Sequence, residues 1–454
     1  MQFLDPVNRL PNMEDISSYV MKQNSSLFSA LSKYMEINTY KLVDTPILEK
    51  SDLFLRRSGG NISSRLYQFN DPGGYDVCLR PEFTSAITRY VLSNPENFES
   101  PTRIYYFGPV FRYSKPGEEF SELPRQFNQF GAEIIGSDDY KYDAEIISLA
   151  YKTLQKVSNQ NLKLIIGDIK IIGSISEHFK LSNRSKMFIL ENVQNIKNLG
   201  SEIVLDRAKE LSFFEKYQDK DIEFNQNEKL IQSLRSEDLA QNSSRSTDEI
   251  IQRLSYKNTQ YDDEKIFLNV LNIIYEIINI KGESIAVIDQ IKDLFSKYKL
   301  DTKPVENFEN ILSFTNQLGV EKKFIEIDFG LIKDVSYYSG IIFNIYSGEN
   351  ELILGGGGRY DGLSRDLGYK NISSLGFAFD FSKILSIYNQ NYTDIEPTII
   401  RSEDKNDFSH AINYSQKLKT EGIPCIIDYE DKIDSKTGEY IFITVDGNIK
   451  NGKN

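Results

Sequence analysis

The sequence predicts an α+β fold in which a central antiparallel sheet is flanked by helices, with a helical insertion and a small C-terminal α/β module. Strand-like runs separated by turn residues dominate residues 1–137 and return in residues 324–390, so these two parts are predicted to form one core. Amphipathic segments with helical spacing fill residues 138–323, which we predict to be a mostly helical insertion. Residues 397–454 alternate strand, helix and strand, which is typical of a small α/β module.

The first part of the core begins with apolar residues at helical spacing from Met13 to Tyr34. The run from Tyr40 to Pro46 then reads as a strand that ends at proline, because proline lacks the N–H that a central strand needs. Turn residues such as those of Asp71–Gly74 separate the strands that follow. These further strands are predicted at Arg65–Phe69, Val77–Leu79, Arg103–Gly108 and Gln126–Ile135.

The insertion and the tail carry clear periodic patterns as well. Residues 266–280 place a wide apolar face on a predicted helix, which requires a covered position in the fold. This face is formed by Phe267, Val270, Leu271, Ile274, Ile277 and Ile278. In the tail, strands are predicted at Thr398–Arg401, Pro424–Asp428 and Tyr440–Val445, and a helix at Phe408–Glu421.

Composition restricts the class of protein. The chain has 454 residues, with 40% apolar and 26% charged residues, as is ordinary for a globular protein. Its net charge of −13 argues against tRNA binding, because nucleic acids are bound by clustered Lys and Arg. Cys78 and Cys425 are far apart, and His178 and His410 are isolated, so we expect no disulfide framework and no metal site. No apolar run approaches the roughly 20 residues that span a bilayer, and we expect a cytoplasmic protein with no membrane segment.

The first candidate binding residues are Glu82 and Thr84, at the end of a predicted strand and before a predicted helix. A carboxylate and a hydroxyl at such a turn can accept charge-assisted hydrogen bonds from the ammonium group of a ligand. The same spacing also fits a helix N-terminus in which Thr84 is the cap and Glu82 complements the helix dipole. Spacing alone does not separate the two interpretations.

A second group lies on the predicted strand from Gln126 to Ile135 and just before it. Arg125, Gln129 and Glu133 are an even number of positions apart, so a regular strand would place all three on one face. A buried face of this kind needs a ligand or internal partners, whereas a solvent-facing one does not. Arg112 stands near the end of the preceding strand, and its guanidinium matches phosphate or carboxylate oxygens.

The third group is the segment from Asp328 to Leu363, which contains the pair Tyr337 and Tyr338 and the glycine run that begins at Gly355. A phenol at the start of a strand can hydrogen-bond an imidazole, although a tyrosine pair in a strand is more often part of a core. A glycine-rich strand permits close backbone approach but is by itself a weak phosphate signal.

Taken together, these motifs resemble class II aminoacyl-tRNA synthetases, and in particular histidyl-tRNA synthetases and their paralogues. The resemblance covers most of residues 1–135 and 324–388. It implies a class II aminoacyl-tRNA synthetase-like core and a pocket for histidine, with Arg125 as a further residue for a carboxylate or phosphate. The implied histidine ligands are Glu82, Thr84, Arg112, Gln129, Glu133, Tyr337 and Tyr338.

The chain differs from the enzymes of this family at positions that serve the activation of histidine by ATP. Lys333 stands where they carry an arginine that activates the histidine carboxylate, and Lys383 where an arginine clamps ATP. Lysine cannot reproduce the bidentate geometry of arginine, and losing such a group typically costs roughly 10² to 10³ in rate. Ser114 replaces a family glutamate, and Phe83 replaces a glycine, which predicts a narrower pocket. The loop between Arg112 and Arg125, which joins two predicted strands, is acidic because it contains Glu118, Glu119 and Glu122.

This altered pattern is most similar to the regulatory subunits of ATP phosphoribosyltransferase, which are paralogues of the synthetases. The resemblance implies a protein with no catalytic residue and no cofactor that senses free histidine. Its partner would be a short-form ATP phosphoribosyltransferase catalytic subunit, and it would be a homodimer within a hetero-oligomer. A functional histidyl-tRNA synthetase is the main alternative, favoured by a tail module similar to a shortened anticodon-binding domain. A ligand-binding or scaffold protein of another pathway is the third.

Overall fold

The computed structural model describes residues 7–56, 60–113, 123–214, 261–331, 338–348, 352–388, 397–433 and 439–453. The chain divides into two compact units. The first consists of residues 1–16 and 24–389, and the second of residues 17–23 and 390–454. The predicted insertion therefore belongs to the same compact unit as the two core segments on either side of it.

A nine-stranded sheet forms the centre of the first unit, in the order β1-β5-β6-β12-β11-β10-β7-β9-β8. The six strands from β5 to β7 in this order pair antiparallel, as predicted, while β1 pairs parallel with β5 and β9 parallel with β7. A smaller sheet, β2-β4-β3, is antiparallel throughout. The strands are β1 Lys41–Leu42, β2 Leu48–Lys50, β3 Gln68–Asn70, β4 Asp76–Leu79, β5 Thr102–Phe111, β6 Gln126–Ile135, β7 Leu162–Asp168, β8 Lys281–Glu283, β9 Ile325–Asp328, β10 Ile341–Ser347, β11 Leu352–Arg359 and β12 Ser374–Asp380.

Helices pack around this sheet and share one large apolar core with it. The helix predicted from the apolar face of residues 266–280 is present as α10, Glu264–Ile278, and all six residues of that face are fully buried. The helices of the first unit, with α1 extending into the second, are α1 Ser18–Ile37, α2 Asp52–Leu55, α3 Gly60–Ser63, α4 Thr84–Ser93, α5 Tyr140–Val157, α6 Ile169–His178, α7 Asn183–Glu191, α8 Val193–Leu199, α9 Ser201–Glu210, α10 Glu264–Ile278, α11 Ser284–Lys297, α12 Lys303–Gln317, α13 Leu363–Asp366 and α14 Phe381–Ile387.

The insertion contributes two strands to the sheet, and neither of these was predicted. β7 inserts between β10 and β9, and β8 adds the last strand at that edge. The β7 sequence is a short apolar run, which cannot be told from a buried helix by periodicity alone. The predicted first helix is also present, but α1 starts at Ser18 rather than Met13.

The second unit contains a four-stranded sheet in the order β14-β13-β15-β16 and the helix α15, Ser409–Thr420. β13 pairs parallel with both β14 and β15, whereas β16 pairs antiparallel with β15. The strands are β13 Thr398–Ser402, β14 Cys425–Ile427, β15 Glu439–Ile443 and β16 Ile449–Lys453. The predicted strand-helix-strand-strand order is confirmed, and β16 is an addition to it.

Within the described ranges, no helix has the length and apolar character needed to cross a bilayer. The same ranges contain no group of three or more His, Cys, Asp or Glu side chains arranged to hold a metal ion.

Candidate functional site

A cavity of about 390 Å³ lies against the middle strands of the nine-stranded sheet. Its walls come from the turn before α4, from β6, β11 and β12, and from the start of α14. Six of the seven predicted histidine ligands line it, namely Glu82, Thr84, Arg112, Gln129, Glu133 and Tyr338. The seventh, Tyr337, lies outside the described residues, as do Lys333, Ser114 and the acidic residues of the loop.

The face of β6 that carries Gln129 and Glu133 forms the floor of the cavity. Glu133 is paired in register with Gly376 of the neighbouring strand β12. A Cβ atom at Gly376 would overlap the Oε2 atom of Glu133. The carboxylate therefore occupies space that only glycine leaves open on the adjacent strand.

The Glu133 carboxylate is 1% exposed and accepts hydrogen bonds from three hydroxyl groups. Thr84 Oγ1 and Tyr106 Oη donate to Oε1 at 2.8 and 3.1 Å, and Tyr360 Oη donates to Oε2 at 2.5 Å. Burial raises the pKa of Glu133 to about 8, because the cost of burying the charged form outweighs the stabilisation by these hydroxyls. The nearby charge of Glu82 raises this pKa further.

Glu82 lines the cavity and also accepts hydrogen bonds from the start of helix α4. Both of its carboxylate oxygens accept the backbone N–H of Ser85 at 3.2 Å, which satisfies one of the unpaired N–H groups at the start of α4. Thr84 does not act as the cap, because its hydroxyl is directed to Glu133. Burial raises the pKa of Glu82, and the Ser85 hydrogen bonds and the charge of Arg112 oppose this shift.

The two motif arginines occupy different environments. Arg112 lines the cavity, donates from Nε to the Pro81 carbonyl at 2.9 Å, and places its guanidinium carbon 5.2 Å from the centre of the Phe127 ring. Arg125 is absent from the cavity wall, and its guanidinium lies over the Tyr113 ring at 5.2 Å. Of the three residues predicted to share one face, Gln129 and Glu133 line the cavity. Arg125, whose carbonyl accepts the backbone N–H of Arg112 at 2.9 Å, does not. Its anion-binding role stays a prediction.

Tyr338 enters the cavity beside the glycine run of β11. A Cβ atom at Gly358 would lie 3.0 Å from Tyr338 Cδ1, so the glycine lets the ring lie against the strand. The next residue, Ser339, donates its backbone N–H to the carbonyl of Arg359 at 2.8 Å. This bond fixes the chain directly after Tyr338 to the end of β11.

A further part of the cavity wall is polar and carries both signs of charge. Gln129 is buried, and its Oε1 atom has no hydrogen-bond partner among the described residues. Asp380 accepts hydrogen bonds from the backbone N–H and the hydroxyl of Ser382 at 3.1 and 2.5 Å. Lys383 Nζ lies 4.0 Å from Asp380 Oδ2, so this cation faces a carboxylate of its own helix end. All four residues line the cavity.

Sequence analysis missed two residues that donate hydrogen bonds to Glu133, and it misplaced Phe83, which packs against one of them. Tyr360 follows the glycine run, and its place in that motif is a signal that was available. Tyr106 lies inside an apolar strand and gave no signal of a polar role. Phe83 does not narrow the cavity as expected, because its fully buried ring stacks on Tyr106 and is not part of the cavity wall.

Comparison with known proteins adds the following similarities. A family model described as histidyl-tRNA synthetase matches residues 12–262 and 229–384. The histidine–tRNA ligase of Methanocaldococcus jannaschii is 26% identical over 411 residues, which cover 88% of this chain and 81% of that protein.

Among the solved structures that share the fold, the following two are examples at low identity. One is described as an ATP phosphoribosyltransferase regulatory subunit/histidyl-tRNA synthetase from Bacillus halodurans, with a TM-score of 0.67, 17% identity, and 96% of this chain and 95% of that chain covered. The other is the apo histidyl-tRNA synthetase of S. aureus, with a TM-score of 0.60, 19% identity, and 99% and 97% covered. At these identities the structures support the fold class, and they carry no conclusion on activity.

Proposed function

The chain belongs to the histidyl-tRNA synthetase family, and from this premise we propose that it is a cytoplasmic, non-catalytic regulatory subunit of ATP phosphoribosyltransferase. In this role it binds free histidine in the cavity and assembles with a short-form catalytic subunit. Histidine then acts as the feedback inhibitor of the first step of histidine biosynthesis.

The chemistry of the cavity suits a small zwitterion with an imidazole ring. Glu82 and Glu133 provide carboxylates for an ammonium group and for an imidazole N–H. The open Oε1 atom of Gln129 is an acceptor for one more ligand donor. Arg112 provides a cation for the ligand carboxylate, and Tyr338 a ring beside the imidazole. Each of these groups is already part of a formed wall, which lowers the ordering cost of binding.

The observation that carries the non-catalytic role is the pair Asp380 and Lys383. Activation of histidine requires ATP, and electrostatic stabilisation of phosphate groups is usually supplied by arginine or a metal ion. Among the described residues, the cation that α14 contributes to the cavity is Lys383, 4.0 Å from the carboxylate of Asp380, while Arg65 and Arg112 line other parts of the wall. The carboxylate offsets the positive charge and repels a triphosphate, which supports ligand sensing without adenylate formation.

The decisive assay is the formation of phosphoribosyl-ATP by a short-form catalytic subunit, with and without this protein, at increasing histidine concentrations. We expect strong activation by the protein and reversal of that activation by histidine. If a verified catalytic subunit forms phosphoribosyl-ATP at the same rate with and without this protein, the proposal is contradicted.

A functional histidyl-tRNA synthetase is the second candidate, favoured by the similarity to the Methanocaldococcus jannaschii ligase over 88% of the chain. The two functions differ in ATP chemistry. Histidine-dependent exchange of pyrophosphate into ATP, followed by charging of tRNA, would establish the ligase. We expect neither reaction above the background of a Glu133→Ala variant.

The raised pKa of Glu133 predicts that histidine affinity increases between pH 6.5 and 8. Near neutral pH the carboxyl is mostly protonated in the free protein, and it must ionise to accept a ligand N–H. Each proton released on binding changes the affinity by at most about tenfold per pH unit. Calorimetry at several pH values checks this. Glu133→Gln cannot ionise, so it should bind more weakly and lose this pH dependence, and an unchanged profile in the variant would contradict the assignment.

The stability of the ligand-free protein is expected to decrease as the pH rises, whereas the affinity for histidine increases. A carboxyl whose pKa is raised by folding, here from 4.5 to about 8, favours the folded state fully below its unfolded pKa. That contribution is lost as the pH rises through the folded pKa. Thermal unfolding at pH 6 and pH 8, compared between wild type and Glu133→Gln, measures this difference.

A further inference from the structure

A column of stacked side chains lies behind Glu133, on the side away from the cavity. The ring of Phe83 is fully buried and stacks on the ring of Tyr106, with 4.4 Å between centroids and 13° between planes. Tyr106 Oη in turn donates to Glu133 Oε1 at 3.1 Å. A displacement of the Glu133 carboxylate therefore acts directly on Tyr106 and, through ring contact, on Phe83.

The opposite face of Phe83 is covered by Arg80, whose guanidinium carbon lies 3.9 Å from the ring centroid. Arg80 is 1% exposed, and its Nη1 atom donates to Asp44 Oδ1 at 2.8 Å. Its backbone N–H donates to the carbonyl of Ile47 at 2.8 Å. A buried guanidinium must keep such partners, because an unpaired buried charge is costly. Arg80 therefore joins the stack to the segment of residues 43–47.

Two glycines enclose this stack and leave it little freedom. A Cβ atom at Gly108 would lie 2.6 Å from Arg80 Nη2 and 3.1 Å from Phe83 Cζ. A Cβ atom at Gly131 would lie 2.5 Å from Tyr106 Oη. Close-packed interiors of this kind transmit strain, because their side chains cannot absorb a displacement by deforming.

The segment at the far end of the stack is on the surface. The Asp44 side chain is 71% exposed, although it pairs with the buried Arg80. Leu42, Ile47 and Leu48 beside it are exposed large apolar residues. A protein partner resting on these side chains would be affected by any change in the conformation of the segment.

We propose that Phe83 is a positioning residue that couples the state of the Glu133 carboxylate, through Tyr106 and Arg80, to the backbone of residues 43–47. This deepens the proposed function and takes histidine from it as the ligand. The coupling gives ligand binding a route to the protein surface, and it depends on an aromatic ring at position 83.

The first test needs no ligand and compares four proteins: wild type, Glu133→Ala, Phe83→Leu and the double variant. Hydrogen exchange is followed by mass spectrometry in peptides that span residues 41–48, with peptides of α10 as the internal control. We expect the Glu133→Ala substitution, made in the wild-type protein, to change the rate of hydrogen exchange in residues 41–48 by about fivefold or more. A fivefold change is the lower end of the effects that coupled sites typically have on each other. In the Phe83→Leu background the same change should have little effect.

Equal effects of Glu133→Ala in both backgrounds would overturn the inference, as would no effect in the wild type. If Phe83→Leu does not fold, Phe83→Met replaces it, because this flexible side chain also lacks the ring face. A merely structural role of Phe83 would lower the overall stability, but it would not remove the response of a remote segment to a change at Glu133.

The second test adds histidine to wild type and to Phe83→Leu. We expect histidine to slow exchange in residues 41–48 of the wild type and to leave the variant unchanged there. A variant that keeps the full response overturns the coupling. Calorimetry on the wild type is run in parallel. If histidine does not bind at all, the proposed function falls, and the four-protein comparison still decides whether the stack couples the two places.

Discussion

Gly376→Ala is expected to lower the affinity for histidine by about 10- to 100-fold. The new methyl group would overlap Glu133 Oε2 and would also lie 2.6 Å from the Ala132 carbonyl oxygen of β6, so the carboxylate must move and the pairing of β12 with β6 is strained. Movement of the carboxylate breaks the 2.5 Å hydrogen bond from Tyr360 and displaces the acceptor that we propose for histidine. Hydrogen bonds to a charged group contribute about 1.5 to 3 kcal/mol each, which sets the size of the expected loss.

Gly173→Ala is the matched control for this change. Gly173 lies in α6, and a Cβ atom there would have no neighbour within 4 Å. Alanine in a helix interior is favoured over glycine by roughly 0.5 to 1 kcal/mol, so this variant should be slightly more stable and bind histidine as the wild type does. Calorimetric affinities of the two variants, with circular dichroism to confirm folding, decide the matter. Unchanged affinity in Gly376→Ala would mean that Glu133 is not a ligand.

The dependence of Glu133 on Gly376 also shows where sequence reasoning reaches its limit. Gln129 and Glu133 could be placed together from alternation along one strand, because that relation is local. The partnership of Glu133 with Gly376 spans more than two hundred residues and follows from the strand order β6-β12, which no local pattern contains. Tyr106 was missed for the same reason, since only the tertiary fold brings its hydroxyl to the carboxylate.

Other differences between the predictions and the structure occur at the ends of strands and helices. Gln129 and Glu133, which lie inside β6, line the cavity, whereas Arg125, one residue before β6 starts, does not. Glu82 and Thr84 both line the cavity, and Glu82 also binds the start of α4. Glu82 caps α4 while it lines the cavity, and the Thr84 hydroxyl turns to Glu133 instead of capping. The proposed binding role of Glu82 is compatible with its structural role, because a carboxylate has several lone pairs to share.

Removal of the buried ion pair between Asp143 and Arg359 is expected to give the largest loss of stability. Arg359 Nε and Nη2 donate to the two carboxylate oxygens of Asp143 at 2.9 and 2.7 Å, and both side chains are almost fully buried. Arg359 Nη1 also donates to the carbonyl of Ser137 and to Asp361. The pair thereby ties α5 to the end of β11, directly before Tyr360 of the cavity wall.

Asp143→Ala leaves the Arg359 charge buried with only part of its partners, and breaking a buried pair in this way typically costs about 3 to 5 kcal/mol. Urea unfolding followed by far-UV circular dichroism measures the change. Lys163→Ala is the control, because the Lys163–Glu326 pair is also short, at 2.6 Å, but its lysine is about half exposed, and exposed pairs contribute about 0 to 1 kcal/mol.

The double variant Asp143→Leu with Arg359→Met separates two contributions to stability. One is the interaction energy of the ion pair, and the other is the cost of burying one charge without its partner. Two apolar side chains leave neither charge alone, so the double variant should be destabilised by less than the sum of the single variants. Arg359 has further partners in Ser137 and Asp361, and losing them keeps the double variant below the wild type in stability. Additive losses would show that the two residues act separately, and that the link between α5 and β11 does not depend on their pairing.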